Sequence, residues 1–366
     1  MPHTNLQSTV AGIIAENIDR LITVDFHARG IVEPVYREAR RKQGEPLAYL
    51  AARRLSEACG RKVPVPSEDP RDRPVVIVAT GFMIRGAGMP ETDGVTGAAL
   101  LARGLFLAFG AVPVIVTEEA AMGVLGAACG AAGLKPVSGI GVACGLPGSV
   151  AVLPFPVDPA SARHEAARIA DEARPAAMIS IERPGMNSAG VHHNSFGASV
   201  SDITARIDEL FLEIAKRRIL TVAIGDLGNE LGMGEVAEVV EAVTPFGQTC
   251  HCPCGHGIAC PIPADVTVVG AVSDDVAYGM LACLAHIQRV PTVLPEPEIA
   301  RAVLAAAVDA GAVDGVTGKC VMSIDVLGIE VHMALLSLLR AVLAHGEAHD
   351  RMRPEFLSHL RRLASL

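Results

Sequence analysis

Short apolar runs separated by longer stretches of helical spacing constrain the fold of this 366-residue chain more than any other feature. The runs are rich in β-branched residues and lack alternating polar positions, as expected of strands covered by helices on both faces. Because strands and helices alternate, we predict right-handed crossovers and an α/β fold, a doubly wound, mostly parallel sheet with helices on both faces. The predicted strands are 75–80, 112–117, 150–155, 176–181, 219–224, 265–272 and 320–325.

The N-terminal part of the chain has a different pattern from the rest. Residues 8–58 show helical spacing with charged faces, and the proline-rich, charged stretch "VPVPSEDPRDRP" follows. The remaining length is sufficient for one domain with its own core. We therefore predict an N-terminal helical extension and linker at 1–73 and an α/β domain at 74–366.

Charge and hydropathy narrow the class of partner. The formal net charge of −9 argues against a nucleic acid or an anionic membrane as partner. The start, "MPHTNLQSTV", lacks the pattern of a signal peptide, and no stretch reaches the roughly 18 uninterrupted apolar residues of a membrane helix. We expect a cytoplasmic protein that binds a small molecule, without nucleic-acid or membrane partners; a homo-oligomer is compatible with the sequence.

Acidic and amide side chains concentrate directly after the predicted strands, where open parallel sheets bind their ligands. Like charges gathered on one rim repel each other unless a cation or a cationic ligand group offsets them. Oxygen ligands in this number suit Mg²⁺ or Mn²⁺, and a substrate ammonium group is the alternative. The residues concerned include Asp93, Glu182, Arg183, Asp226, Asn229, Glu230 and Ser273.

Each of these residues also has a structural interpretation. Asp93 is placed to cap the helix that follows it. Glu182 and Arg183 could form an ion pair, and Asp226 and Glu230 could belong to a tight turn. The one-sided distribution of the acids favours a site over these separate roles.

Several motifs resemble the D-glutamate cyclase C-terminal domain family. The motifs are "TGF" (80–82), "ETDG" with "GAA" (91–99), "IERPG" (181–185), "HHN" (192–194) and above all "IGDLGNELGMG" (224–234). The resemblance extends from about residue 18 to 345. It implies that D-glutamate closes to 5-oxo-D-proline with loss of water. Such a reaction needs a general base, a positive group on the carboxylate and a proton donor.

The resemblance implies roles for individual residues. Asp226 and Glu230 are expected to bind a divalent cation or to deprotonate the amine, with Asp93 and Glu182 as further ligands or amine anchors. Arg183 is the candidate for the substrate carboxylate. His193 or His192 would donate the proton, oriented by Asn194. The other candidate substrate-binding residues are Gly228, Asn229 and Ser273, and Gly225, Gly228, Gly232 and Gly234 would let the backbone approach the ligand.

The chain departs from the family pattern at the presumed pocket wall. Leu227 stands where the family has glycine, and "VSDDVAYGML" (272–281) replaces an Asn-Trp-Gly-Gly segment. These departures extend the expected substrates to acidic amino compounds related to D-glutamate. They also leave open a metabolite-binding protein without catalysis. A second alternative is a metal-dependent hydrolase that opens a lactam or cyclic amide, because the same donors and cation would serve the reverse reaction.

A second group of potential ligands lies in "TCHCPCGHGIAC" (249–260). If the segment is extended, Cys250, Cys252 and Cys254 point the same way, and glycines could turn His256 back toward them. These four side chains could hold a structural zinc ion. A thiol-rich loop without metal is the alternative that the unusual spacing favours. Because the segment precedes strand 265–272, we expect it at the end of the sheet opposite the acidic site.

Overall fold

The computed structural model describes residues 10–60 and 73–363. Its strands are β1 (Val75–Ala79), β2 (Met83–Ile84), β3 (Met89–Pro90), β4 (Val112–Thr117), β5 (Lys135–Val137), β6 (Ser149–Pro154), β7 (Ala177–Ile181), β8 (Leu220–Gly225), β9 (Val266–Val269), β10 (Ser323–Ile324) and β11 (Leu327–Gly328). A seven-stranded sheet has the order β5-β6-β4-β1-β7-β8-β9, and neighbouring strands pair in parallel. The predicted fold class is confirmed.

Helices cover both faces of this sheet. They are α1 (Val10–Ile22), α2 (Val32–Gln43), α3 (Leu47–Cys59), α4 (Val95–Phe109), α5 (Met122–Ala131), α6 (Ile140–Gly145), α7 (Pro159–Ala173), α8 (Ile207–Lys216), α9 (Ala237–Val243), α10 (Ser273–Gln288), α11 (Pro297–Asp309) and α12 (Ile329–Leu363). Helices α6, α7 and α8 pack on one face, and α3, α4, α5 and α10 lie on the other. Buried aliphatic side chains on both faces explain why the strands lack polar alternation.

One predicted strand is wrong. Residues 320–325 do not enter the main sheet, and Ser323–Ile324 pairs instead with Leu327–Gly328 in a small antiparallel hairpin. The seventh place belongs to β5, an edge strand that pairs with β6. Its sequence, Lys-Pro-Val, is short and largely exposed, so it produces no apolar run.

The N-terminal helices share the core of the α/β unit. Helix α3 packs against α10 and β9, and Ile18, Ile22 and Leu55 belong to the same buried cluster as the sheet. Most of the linker, residues 61–72, lies outside the described residues. The division of the chain at residue 73 stays a prediction.

One segment of α12 passes a simple test for a membrane span. Ile329–Ala348 is long and apolar enough by length and composition, although one such helix is weak support for a span. Leu335, Leu336 and Leu339 of this segment are buried, and α12 packs against α1 and α11. These contacts are typical of a helix that packs on a protein core.

Candidate active site

Three carboxylates meet at the carboxyl edge of the sheet. Glu182 directly follows β7, and Asp226 and Glu230 follow β8, the neighbouring parallel strand. One oxygen from each lies within 4.8 Å of the others, and all three residues are buried. The position of these residues after adjacent strands is what brings them together.

The start of helix α10 joins the carboxylate cluster to Asp93. The hydroxyl of Ser273 donates to Oε2 of Glu182 at 2.6 Å. The backbone amides of Ser273 and Asp274 donate to Asp93 at 3.1 and 2.8 Å. Asp93, which lies between β3 and α4, therefore accepts hydrogen bonds from the first turn of α10, a helix distant in the chain.

Asp274 makes the reciprocal contact. Its Oδ1 accepts hydrogen bonds from the amides of Gly94 and Gly97, at 2.9 and 2.7 Å, at the start of α4. Two helix N-termini thus lie beside the acidic cluster, where their unpaired amides and dipoles favour negative charge.

Asp275 is directed elsewhere, because its carboxylate contacts the ring of buried His332 at 2.8 Å. Asp274 and Asp275, which distinguish "VSDDVAYGML" from the family pattern, therefore both have structural partners.

The N-terminal segment supplies a cation to the site. Arg29, between α1 and α2, contacts Oδ2 of Asp226 at 3.0 Å and Oδ2 of Asp325 at 3.4 Å. Within the described ranges, no other Lys or Arg lies within 4.0 Å of Asp226, Glu182 or Glu230. Arg29 lies before the first strand, nearly two hundred positions from Asp226, so no local sequence pattern points to it.

Burial and mutual repulsion shift the titration of Glu182 and Asp226. Desolvation, with the nearby charges of Asp226 and Glu230, raises the pKa of Glu182 well above its usual range. Desolvation and Glu230 likewise raise the pKa of Asp226, although Arg29 opposes the shift. Burial also raises the pKa of Asp274 to about 7. The cluster therefore favours either bound protons or an added positive charge.

The backbone at Glu182 is unusual. Its φ is +40°, in the left-handed region that side chains other than glycine rarely adopt. A Cβ atom at Gly94 would lie 2.5 Å from Cβ of Glu182, so only glycine permits this approach. Strained conformations of this kind persist where the surrounding structure holds a side chain in place, and they concentrate at functional sites.

Glu230 shapes the turn that carries Asp226. Its Oε1 accepts hydrogen bonds from the amides of Asp226 and Leu227, at 3.3 and 3.0 Å. Its Oε2 accepts one from the amide of Gly228 at 2.6 Å. Both oxygens are thus engaged by backbone amides of the loop. The role of Glu230 as a base or metal ligand stays a prediction.

The glycines of "IGDLGNELGMG" serve the packing of the protein itself. Gly228 has a φ of +92°, and a Cβ there would lie 2.2 Å from a methyl carbon of Val240. Cβ atoms at the other three glycines would also meet protein atoms closer than 3 Å; these are Gly225, Gly232 and Gly234. Protein atoms therefore fill the space on the Cβ side of these glycines, and the prediction that their backbone admits a ligand stays a prediction.

Arg183 holds the loops together. Its fully buried guanidinium pairs with Glu118 at 2.6 Å and donates to the carbonyl oxygens of Gly81, at 2.8 Å, and Ala205. Arg183 therefore pairs with Glu118 rather than with Glu182. Its role at a substrate carboxylate stays a prediction.

The histidine pair and Asn194 also have protein partners. His192 contacts Asp208 at 2.6 Å, and Nε2 of His193 lies 3.1 Å from Sγ of Cys252. Oδ1 of Asn194 accepts hydrogen bonds from the amides of Phe196 and Ala198, as in a tight turn. The roles of the histidines as proton donor and of Asn194 as the orienting group stay predictions.

Asn229 links the loops that follow β7 and β8. Its Nδ2 donates to the backbone carbonyl oxygen of His193 at 3.1 Å. Its backbone carbonyl oxygen accepts from the amide of Gly185 at 2.9 Å. Its Oδ1 is buried without a hydrogen-bond partner. Among the predicted substrate-binding residues, Asn229 therefore retains an acceptor for a ligand.

The cysteine-rich segment lies at the same edge as the acids, so its predicted place at the opposite end is wrong. The amide of His251 donates to the carbonyl of Gly197 at 2.9 Å, and that of Cys260 donates to Gly228 at 3.1 Å. The chain therefore crosses back over the carboxyl edge before it enters β9. His256 is exposed and contacts Ser188, whereas His193 joins the three thiols.

The parallel sheet, the two opposed helix starts and the buried acids define an α/β protein with a candidate site at the carboxyl edge. The chain matches the family described as "D-glutamate cyclase-like, C-terminal" over residues 18–340, and it belongs to this family. Over 111 residues it is 36% identical to the human (Homo sapiens) protein "D-glutamate cyclase, mitochondrial". That region covers 30% of this chain and 17% of the length of the human protein.

Proposed function

We propose that this chain is a hydro-lyase that cyclises D-glutamate, or a related acidic amino compound, to a lactam of the 5-oxo-D-proline type. The observation that carries the proposal is the buried cluster of Glu182, Asp226 and Glu230 beside Arg29, in a chain of the D-glutamate cyclase-like family. We further propose that the protein acts in the cytoplasm on a small-molecule substrate.

The reaction needs groups that bind and move protons. The substrate ammonium loses one proton before its nitrogen attacks the γ-carboxyl carbon and a second as the amide forms. One carboxyl oxygen takes up two protons and leaves as water. Asp226 and Glu182 suit the ammonium because they are negative when ionised, and their raised pKa values make them stronger proton acceptors than ordinary carboxylates. Holding the five-carbon chain folded supplies further rate through orientation.

A dianionic substrate needs positive charge beside it to bind in an acidic site. Arg29 supplies one positive charge, and Mg²⁺ or Mn²⁺ is our proposed second source. Oε2 of Glu182 accepts from Ser273 and Oδ2 of Asp226 contacts Arg29, which leaves the other oxygen of each for a cation. Asp93 already accepts backbone hydrogen bonds with both oxygens, so we place it behind these two. A bound cation would polarise the γ-carboxyl group.

Two alternatives share this site. A hydrolase that opens a lactam would use the same acids in the reverse direction. A binding protein without catalysis was suggested by Leu227 and by the Asp274–Asp275 pair. Leu227 packs against the hydrophobic core, and both aspartates contact protein groups. These departures therefore give little support to a loss of catalysis.

Proton NMR of the purified chain tests the proposal. D-Glutamate, L-glutamate and 5-oxoproline are each incubated with the protein, with and without Mg²⁺ or Mn²⁺. We expect selective loss of D-glutamate, appearance of 5-oxoproline and stimulation by one of the cations. Consumption of 5-oxoproline alone would favour the hydrolase, and binding of D-glutamate without turnover would favour the binding protein.

A further inference from the structure

A second cluster lies at the carboxyl edge of the sheet, separate from the acids. The Sγ atom of Cys250 lies 3.5 Å from that of Cys252 and 3.4 Å from that of Cys254, and the latter two are 3.2 Å apart. Nε2 of His193 lies 3.1 Å from Sγ of Cys252 and 3.7 Å from Sγ of Cys254. Three thiol sulfurs and one imidazole nitrogen, atoms of types that can bind a metal, therefore converge from two distant segments.

We propose that Cys250, Cys252, Cys254 and His193 bind one zinc ion. A tetrahedral zinc with ordinary bond lengths separates its sulfur ligands by about 3.8 Å and a sulfur from a nitrogen by about 3.6 Å. The observed separations of 3.1–3.7 Å need only a small expansion to meet these values. They are much longer than a disulfide bond of about 2.05 Å, and the cysteines are free.

Hydrogen bonds prepare His193 for this role. Nδ1 of its ring lies 3.1 Å from the carbonyl oxygen of Val191, which can only accept a hydrogen bond. The proton therefore belongs on Nδ1, and Nε2 presents its lone pair to the sulfur atoms. Zinc-binding histidines are commonly fixed by such a contact behind the metal.

Donors also face the sulfur atoms. Nδ2 of Asn187 donates to Sγ of Cys254 at 3.4 Å, and the amide of Cys254 donates to Sγ of Cys252 at 3.4 Å. Hydrogen bonds of this kind strengthen when the acceptor is a charged thiolate, the form that binds metal. Three thiolates and an imidazole favour zinc over the hard cations that suit the carboxylates.

The proposed zinc would be structural, because four protein ligands leave no open position for a substrate. It would tie the loop after β7 to the segment before β9. The carbonyl oxygen of His193 accepts a hydrogen bond from Asn229, which directly precedes Glu230. The ion would thereby fix the loop that carries the acidic cluster, and it requires no particular reaction at that cluster.

The zinc content of the full-length chain tests the inference without reference to turnover. We expect about one zinc ion per purified chain by plasma mass spectrometry. The variants His193→Ala and Cys252→Ser should lose most of it, whereas His256→Ala and Cys320→Ser should retain it. His256 is an exposed histidine of the cysteine-rich segment, and Cys320 is an exposed thiol elsewhere, so they are matched controls.

Two results would overturn the proposal: zinc-free wild-type protein after growth in zinc-supplemented medium, or zinc lost with His256→Ala and kept with His193→Ala. Cobalt substitution of the wild-type chain covers the case in which the variants do not fold. Tetrahedral Co²⁺ with several thiolates gives intense charge-transfer absorption, which we expect here. Weak octahedral spectra would place the metal on oxygen ligands and contradict the proposal.

Discussion

The acidic cluster and the thiol cluster are built from the same edge of the sheet, yet the protein holds them in different ways. Backbone amides of the turn around Gly228 hold Glu230, and those of α10 and α4 hold the adjacent Asp93 and Asp274. Ser273 and Arg29 contact Glu182 and Asp226, respectively. The thiols receive few such donors and lie mainly against one another and His193. Oxygen atoms left open beside Arg29 suit a ligand that comes and goes. Four converging soft atoms suit a permanent ion.

Removing the charge of Glu182 should have the largest effect on turnover. It should also distinguish the role of the acidic cluster from that of the thiol cluster. We expect Glu182→Gln to cyclise D-glutamate about 10²–10⁴-fold more slowly, because the site loses a proton-transfer group. Zinc content should not change. Initial rates from NMR measure the effect, with Glu209→Gln, a residue on α8 that pairs with Arg163, as the control. Equal rates for the two variants would remove Glu182 from the mechanism.

Arg29 tests whether the N-terminal segment belongs to the acidic site. Arg29→Met keeps the apolar stem but leaves the buried carboxylate of Asp226 without its cation. Because Arg29 is about a quarter exposed, we expect a loss of about 1–3 kcal/mol in the free energy of unfolding. Urea denaturation measures it. Arg37→Met, which breaks an exposed pair with Glu33, should cost much less; a similar cost would argue against the role of Arg29.

Gly228 tests whether the turn of the acidic cluster is fixed by the protein or shaped for a ligand. Gly228→Ala should reduce the free energy of unfolding by about 1–3 kcal/mol, because its Cβ would overlap Val240 at a positive φ. The added Val240→Ala change should recover part of this loss. Gly130→Ala, in open space on α5, is the control. Unchanged stability combined with lost ligand binding would favour the prediction that this turn admits a ligand.

Asp19, a buried carboxyl group in the N-terminal helices, is a reference residue outside both clusters. It accepts hydrogen bonds from Tyr36 and from the amides of Leu47 and Ala48, yet burial raises its pKa from 3.8 to about 6. Folding therefore favours the protonated form. The stability that this group contributes is present below about pH 4 and is lost as the pH rises to about 6.

Asp19→Asn should remove this slope and leave turnover unchanged. Urea denaturation of both chains between pH 4 and pH 7 measures the difference. A parallel pH dependence in the two proteins would contradict the assignment of the slope to Asp19.

The sequence predicts the sheet and the acidic cluster well for a common physical reason. Strands buried on both faces need apolar runs, and residues that directly follow adjacent strands must lie close together. Glu182 and Asp226 meet for this reason. The short edge strand Lys135–Val137 was missed because an exposed edge needs no such run. Arg29 and Asp325 enter the site from segments outside the sheet, which local patterns do not place.

The thiol cluster shows where reasoning from chain order fails. A segment that precedes a strand usually lies at the amino edge of the sheet. Residues 250–254 were therefore predicted at that edge. The chain instead returns across the carboxyl edge, held by the contact between Cys260 and Gly228. The histidine that joins the thiols, His193, is 59 positions away from Cys252. Only the tertiary structure shows that it replaces His256.

The most direct test of the acidic cluster as the reaction site is the rate of D-glutamate loss in wild-type protein and in Asp226→Asn. Both are measured by proton NMR at equal protein and zinc content. We predict that the wild type forms 5-oxoproline and that the rate is about 10²–10⁴-fold lower in the variant. A variant that cyclises D-glutamate as fast as the wild type would show that the chemistry takes place elsewhere.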